Sequence, residues 1–353
     1  MKKITFYTAA FIAIISNTGC KKDPIITQPA ADYKNVLINI GNDVILGTYQ
    51  DLYDKNIVLV NTLNILQQQQ TTVNLEAAKQ AWKDMRIPWE QSEGFLFGPV
   101  HQQGIDPSID SWPVNAPDLD NVLASTDALT KIYIDGLDGT LKGFHTIEYL
   151  LFGTDGNKPV SSFTPRQFEY LASCGQSLEA ATQKLYYAWK PDKQNFIANV
   201  LNAGNAGNTF YPSQKSAIQE VLNGLIGITD EVANGKINDP FSQQNINLEE
   251  SRFSSNSKRD FSDNIRSVRN AYLGTYKNAT GLGIASIIET KNPTLNAKVK
   301  QEIEEAINAI ESIQGTFTTA IFNAAPSVIN AQQKVRTLQQ TLQSEVGPVI
   351  SSL

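Results

Sequence analysis

Apolar residues in this chain recur every three to four positions. Leu75, Ala78, Trp82, Met85 and Trp89 form one stripe, Ile218, Val221, Leu225, Ile228 and Val232 a second, and Val328, Ala331, Val335, Leu338 and Leu342 a third. At 3.6 residues per turn each set falls on one face of a helix, whereas a strand would scatter it over both faces. Thr164-Pro165-Arg166-Gln167 adds an N-cap, a proline at the first helical position and a capping-box glutamine. The helix it opens runs through Leu171, Leu178 and Leu185 until Pro191 stops it. Similar patterns cover about 32–55, 57–70, 118–136, 258–278 and 294–314. Alternating runs of the kind that build strands are scarce. The expectation is an all-α fold of antiparallel helical bundles.

With 353 residues, 41% of them hydrophobic, the chain can bury more than one core. Two stretches lack periodicity. Residues 98–117 (GPVHQQGIDPSIDSWPVNAP) are rich in Gly, Pro and Asp, the composition of a functional or poorly ordered loop. Residues 191–212, with NAGNAGN, read as the passage between bundles and place a boundary near residue 200, giving bundles over 33–200 and 201–353. An echo between 139–148 and 281–289, each opening an apolar helix, points to duplicated bundles, the second copy lacking the histidine.

Met1-Lys2-Lys3 followed by the apolar run Ile4 to Ser16 reads as a secretory signal over residues 1–19, too short to span a bilayer as a helix. Thr18-Gly19-Cys20 resembles a bacterial lipobox, with Cys20 as the lipidated residue and 20–32 as a tether; Asn17 departs from the usual aliphatic residue there. An ordinary cleaved signal is the alternative. Cys174, the other cysteine, lies on an apolar helical stretch and is expected to be an inert core residue. The net charge of −6 gives no basic surface for nucleic acid.

Three clusters carry polar chemistry. With Thr140 as N-cap, 141–152 should be a helix on which His145 and Glu148 share a face, a spacing that serves a metal ion or a hydrogen-bonded structural pair. Gly143 leaves room there for a close neighbour, and His101, in the long loop, is expected to face solvent. Arg86, Glu90 and Glu93 lie one step round from the Trp82/Met85/Trp89 stripe, as a partly buried polar site or a solvated Arg86–Glu90 pair. Residues 248–264 gather Glu249, Glu250, Ser251, Ser254, Ser257, Asp260 and Asp263, oxygen donors for a hard cation or ordinary helix caps. No Gly-x-Ser-x-Gly elbow, Gly-rich phosphate loop or His-Glu-x-x-His helix is present, so a third metal ligand must come from far along the chain.

AWKDMRIPWEQSEGFLFGPV (81–100), GLDGTLKGFHTIEYLLFG (136–153) and EESRFSSNSKRDFSDNIRSVRNAYLG (249–274) resemble, in order, three segments of the imelysin family. That resemblance implies two helical-bundle domains facing across a cleft, with Glu93, His145 and Glu148 brought to Ser254 and Asp260, and Glu90, Gly143, Glu250 and Ser251 around them. It implies a metal site in which His145 and Glu148 are ligands, Glu93 a third ligand or an orienter, and Arg86 a charge partner. Relatives include an insulin-cleaving membrane protease and iron-uptake proteins. The mostly oxygen donor set ranks iron, as ion or chelate, above zinc or another divalent ion. The reading is an outer-membrane-anchored envelope lipoprotein in iron uptake with envelope partners, facing the periplasm or cell surface. A metal-dependent peptidase using Glu148, or a non-catalytic envelope interaction protein, is the alternative.

Overall fold

The computed structural model describes residues 33–353. The segments read from sequence as a signal, a lipobox with Cys20 and a tether lie outside the described residues. Eight helices of ten residues or more carry the fold: α1 (Gly47–Gln68), α2 (Thr72–Glu90), α3 (Gly143–Phe152), α4 (Pro165–Trp189), α5 (Gln214–Asp230), α6 (Ser257–Leu273), α7 (Pro293–Glu311) and α8 (Ala325–Thr341). The strand content among the described residues is one antiparallel pair, Thr275–Tyr276 with Ala279–Thr280. No described helix is long and apolar enough to cross a membrane.

The apolar stripes become the core. Trp82, Met85 and Trp89 of α2 are fully buried, as are Leu225 of α5 and Val335 of α8. Trp82 also donates its indole N–H to the Phe144 carbonyl at 2.9 Å, which satisfies its one polar atom. The capping box at Thr164 and Gln167 forms as the sequence implies. Cys174 is buried, and burial pushes its thiol up to about 12, consistent with an unreactive core position. His101 is exposed.

Three sequence expectations are corrected. The patterns at 32–55 and 57–70 belong to one continuous helical run, Lys34–Asn39, a wider π turn Ile40–Leu46 and then α1. Asn56, at the expected break, is instead a buried helical residue bonded to Thr182. The stretch 118–136 divides into Ala116–Ala124 and Lys131–Asp135, because Ser125 bonds back to Val122 and Thr130 caps the second piece. The helix carrying His145 starts at Gly143 with Lys142 at its N-cap; Thr140 lies in the preceding 3-10 turn Gly139–Leu141, which Asp138 caps.

α1, α2, α3 and α4 pack on one another, as do α5, α6, α7 and α8. The two groups meet where the turn Glu93–Phe95 enters between α5 and α6. A Cβ on Gly224 would sit 2.3 Å from the Gly94 carbonyl oxygen, so the close backbone approach requires glycine. The Gly94 N–H donates to Ser267 Oγ at 3.0 Å, and Asn264 Nδ2 donates to Glu90 at 2.6 Å. Residues 130 to 174 positions apart are thereby held in one body, Asp32–Leu353.

Candidate metal centre

The site forms where three segments end. α2 supplies Arg86 and Glu90 in its last turns, the loop before α3 supplies Asp110, and residues 249–256 lead into α6. Gly143 fixes how the loop meets α3. Its φ of 76° belongs to the left-handed region, and a Cβ there would lie 2.4 Å from the Ile109 carbonyl oxygen. That carbonyl accepts the Phe144 N–H at 2.8 Å, satisfying an otherwise unpaired donor of the helix start. Asp110, one residue on, is consequently placed against His145.

His145 is 1% exposed and is gripped from both sides. Its Nδ1 lies 3.0 Å from Glu148 Oε2, and its Nε2 lies 3.0 Å from Asp110 Oδ1. Glu148 Oε1 accepts the Ser254 N–H at 2.8 Å and its hydroxyl at 2.7 Å. Glu148 thus spends both oxygens, one orienting the imidazole and the other tying α3 to the segment before α6. The Nε2 approach to Asp110 is close but too poorly aligned to satisfy the buried nitrogen with a hydrogen bond.

Two fixed cations stand behind this pair. The fully buried Arg86 guanidinium reaches Asp110 at 2.5 Å, Glu250 at 2.8 Å and Asp260 at 3.5 Å, and also pairs with Glu90. The solvated Arg86–Glu90 pair considered from sequence is therefore a buried one. Lys236 Nζ lies 2.9 Å from Glu93, 3.1 Å from Glu250 and 3.7 Å from Glu90. Asn256 donates to Asp260 and Ser257 to Glu249, each at 2.7 Å, so these side chains serve the cluster. Asn256 holds the N-cap position of α6 without a side-chain cap bond. Ser251 is fully buried beside Asp260. Asp263 faces Arg259 and Arg266 instead.

The arrangement gathers the carboxyl groups of Glu90, Glu93, Asp110, Glu148, Glu249, Glu250 and Asp260 around Arg86, Lys236 and one imidazole. Buried ions cost several kcal/mol each unless compensated, so a surplus of buried acid calls for protons or a further cation. Burial and neighbouring acids hold Glu90 and Glu93 well above the carboxylate range, against the pull of Arg86 and Lys236. Burial also raises Asp260 to about 6 and Glu249 to about 7. Asp110 goes the other way: burial opposes its charge, but Arg86 and His145 outweigh burial and hold it well below the usual range. For His145 burial favours the neutral ring, and the nearby Asp110 charge and the bond to Glu148 overcome it, up to about 9.

Asp110, His145 and Glu250 each place one donor atom within 4.8 Å of the others; so do Glu90, Glu93, Asp110 and Glu250. The first set has an approach. A cavity of about 270 Å³, lined by Trp112, Val114, Asn247, Arg252 and Phe253, reaches His145, Glu249 and Glu250. The second set surrounds Lys236. The donors suit a metal ion: His145 Nε2 is buried without a satisfying hydrogen bond, Glu250 Oε2 has the Lys236 ammonium 3.1 Å away but no aligned hydrogen bond, and carboxylate with imidazole is a hard to borderline set.

Of the residues singled out from sequence, His145 and Glu148 touch each other, Ser254 holds Glu148, and Glu250 bridges Arg86 and Lys236. Glu93 lies with Lys236, in the donor set that lacks the histidine. Asp110 and Lys236 were not singled out. Asp110 sits in the loop read as functional or poorly ordered, with no periodicity to mark it. Lys236 had a readable signal, since it continues the Ile218-to-Val232 stripe by four residues, at a core position where a lysine needs a partner.

Fold and site together define an all-α protein whose two helix groups meet over a buried cluster of acids and one histidine. The Imelysin family profile matches residues 45–345, and the chain belongs to that family. It is similar to iron-regulated protein A of Synechococcus elongatus, 28% identical over 316 residues that cover 88% of this chain and 84% of the relative. A crystal structure from Parabacteroides distasonis, described as an iron-regulated protein A precursor, superposes with a TM-score of 0.80 at 27% identity, covering 90% of this chain and 94% of that one. An imelysin-like protein from Psychrobacter arcticum, at 15% identity and a TM-score of 0.75, covers 90% of this chain and 95% of that one and shares the fold.

Proposed function

We propose that this chain binds a metal ion, iron as its cargo, through His145, Asp110 and Glu250, and works in iron uptake at the cell envelope. The observation that carries the reading is the convergence of those three donors, two of which, His145 and Glu250, line a cavity, with the imidazole held by Glu148. Histidine ligands commonly give their other nitrogen to a carboxylate that fixes the ring and raises its basicity, and the Ser254–Glu148–His145 chain has that form. Glu148 is thus the orienter rather than a ligand, and Arg86 holds Asp110 ionised and lies 2.8 Å from Glu250. Iron is favoured over zinc by two carboxylates to one imidazole, and by relatives named for iron regulation. The lipid anchor at Cys20 and the envelope location belong to the same proposal.

Hydrolysis has less support. The base such a reaction needs would be Glu148, and its two oxygens are engaged by Ser254 and His145. The test is anaerobic calorimetric titration of metal-free protein with ferrous, ferric and zinc ions, repeated on His145→Ala. Binding that disappears in the variant supports the reading, and identical isotherms for the two proteins reject it.

A further inference from the structure

Resting on that metal-binding reading, we propose that the cargo enters as a complex with a small polycarboxylic acid, and that Arg252 holds the acid. Two observations separate from the metal donors carry this. The first is room. The cavity of about 270 Å³ beside His145 far exceeds what an ion needs, since one water's share of liquid volume is about 30 Å³. It falls just below the range of ordinary small-molecule pockets, roughly 300 to 1,000 Å³, and so fits a compact organic ligand.

The second is charge. Arg252 lines the cavity, is half-buried, and lies over the Phe253 ring at 4.4 Å. Its charge is felt by Glu249, yet among the described residues it forms no ion pair. An arginine stacked on an aromatic ring keeps its planar fork free for bidentate pairing with carboxylate. The remaining wall is apolar at Trp112 and Val114. Glu249 and Glu250 in the lining would repel an organic anion arriving alone, whereas a bound cation reverses that field. Acid and metal therefore bind together or the acid does not bind.

The experiment is calorimetry on the full chain with three probes: ferric citrate, zinc chloride, and sodium citrate without metal. Wild type should bind the first two and show no heat with citrate alone. Arg252→Gln should weaken ferric citrate about tenfold, the usual weight of a charge-assisted bidentate pair, and leave zinc unchanged. Val114→Phe, which fills the cavity without touching a charge, should do the same, and circular dichroism checks that both variants fold. Ferric citrate binding unchanged in both variants, or metal-free citrate binding as tightly as ferric citrate, overturns the proposal. Zinc bound but ferric citrate refused also overturns it while leaving the metal site standing; a wild type that binds neither overturns both.

Discussion

The buried acids have two ends, and the ends are neutralised differently. Around Lys236, Glu90, Glu93 and Glu250 face an ammonium covalently attached to the chain. Around His145, Asp110 and Glu148 face an imidazole whose charge is a proton that can leave, and the cavity opens there. A tethered ammonium is a permanent point charge that takes up the space of an ion. A protonated imidazole can exchange its proton for a metal, because metal binding needs the neutral ring. On the proposed metal-binding reading, the contrast assigns stability to the Lys236 end and exchange to the His145 end, with one ion bound.

Lys236→Met breaks the comparison most severely. Removing one partner of a buried charge cluster typically costs about 3–5 kcal/mol, which urea unfolding in chelator should register. Divalent ions should then recover part of the loss, with a second ion bound per chain. A variant as stable as wild type would show that protons on Glu90 and Glu93 already neutralise that end.

The next effect is pH. His145 is raised to about 9 in the folded chain, so its contribution is complete below its unfolded value near 6.5 and disappears as pH climbs through 9. Glu249 and Asp260, raised to about 7 and about 6, act in the same direction at lower pH, stabilising below about 4 and losing that contribution through their folded values. Metal-free protein should therefore lose stability from pH 5 to 9, with His145 contributing on the order of 3 kcal/mol. Thermal unfolding of His145→Ala should show a flatter alkaline limb; a limb as steep as wild type places the titration elsewhere.

How far sequence could reach follows from the same contrast. Helical stripes announce themselves through Trp82, Met85 and Trp89 because burial is periodic. His145 and Glu148 were legible as neighbours because three residues make a helical turn. Their surroundings were not, since nothing local shows that Ser254, 106 positions away, bonds the other oxygen of Glu148. Asp110 escaped because nothing local in an aperiodic loop fixes where its carboxylate goes; the carbonyl of Ile109 meeting the Phe144 N–H does. Arg86 and Glu90 were found as a pair, but their burial depends on Glu250 and Asp260 from the far half of the chain.

Glu148→Gln sharpens the exchange end. Gln keeps the size but loses the charge that favours Nδ1–H and raises the basicity of Nε2. Losing such an orienting partner generally costs 10–100-fold in metal affinity, about 1.4–2.7 kcal/mol, while the fold should change little. Affinity unchanged within error would mean that Asp110 and Glu250 bind the ion without the imidazole.

The smallest effect is the most discriminating. Ser254→Ala removes the hydroxyl bond to Glu148 Oε1 and leaves the backbone N–H bond to the same oxygen, at 2.8 Å, in place. One of two hydrogen bonds on a charged acceptor is lost, so affinity should fall by about 1 kcal/mol, several-fold, with stability nearly unchanged. If instead Ser254→Ala weakens metal as much as Glu148→Gln, the backbone bond alone does not hold the carboxylate. Orientation of Glu148 would then depend on a hydroxyl from beyond α3, and the exchange end would be assembled by the meeting of the two helix groups. If Ser254→Ala has no effect on metal but lowers stability, the hydroxyl serves the packing of α3 against the segment before α6. The boundary between the stable and the exchangeable end would then run between Ser254 and Glu148 rather than between Lys236 and His145.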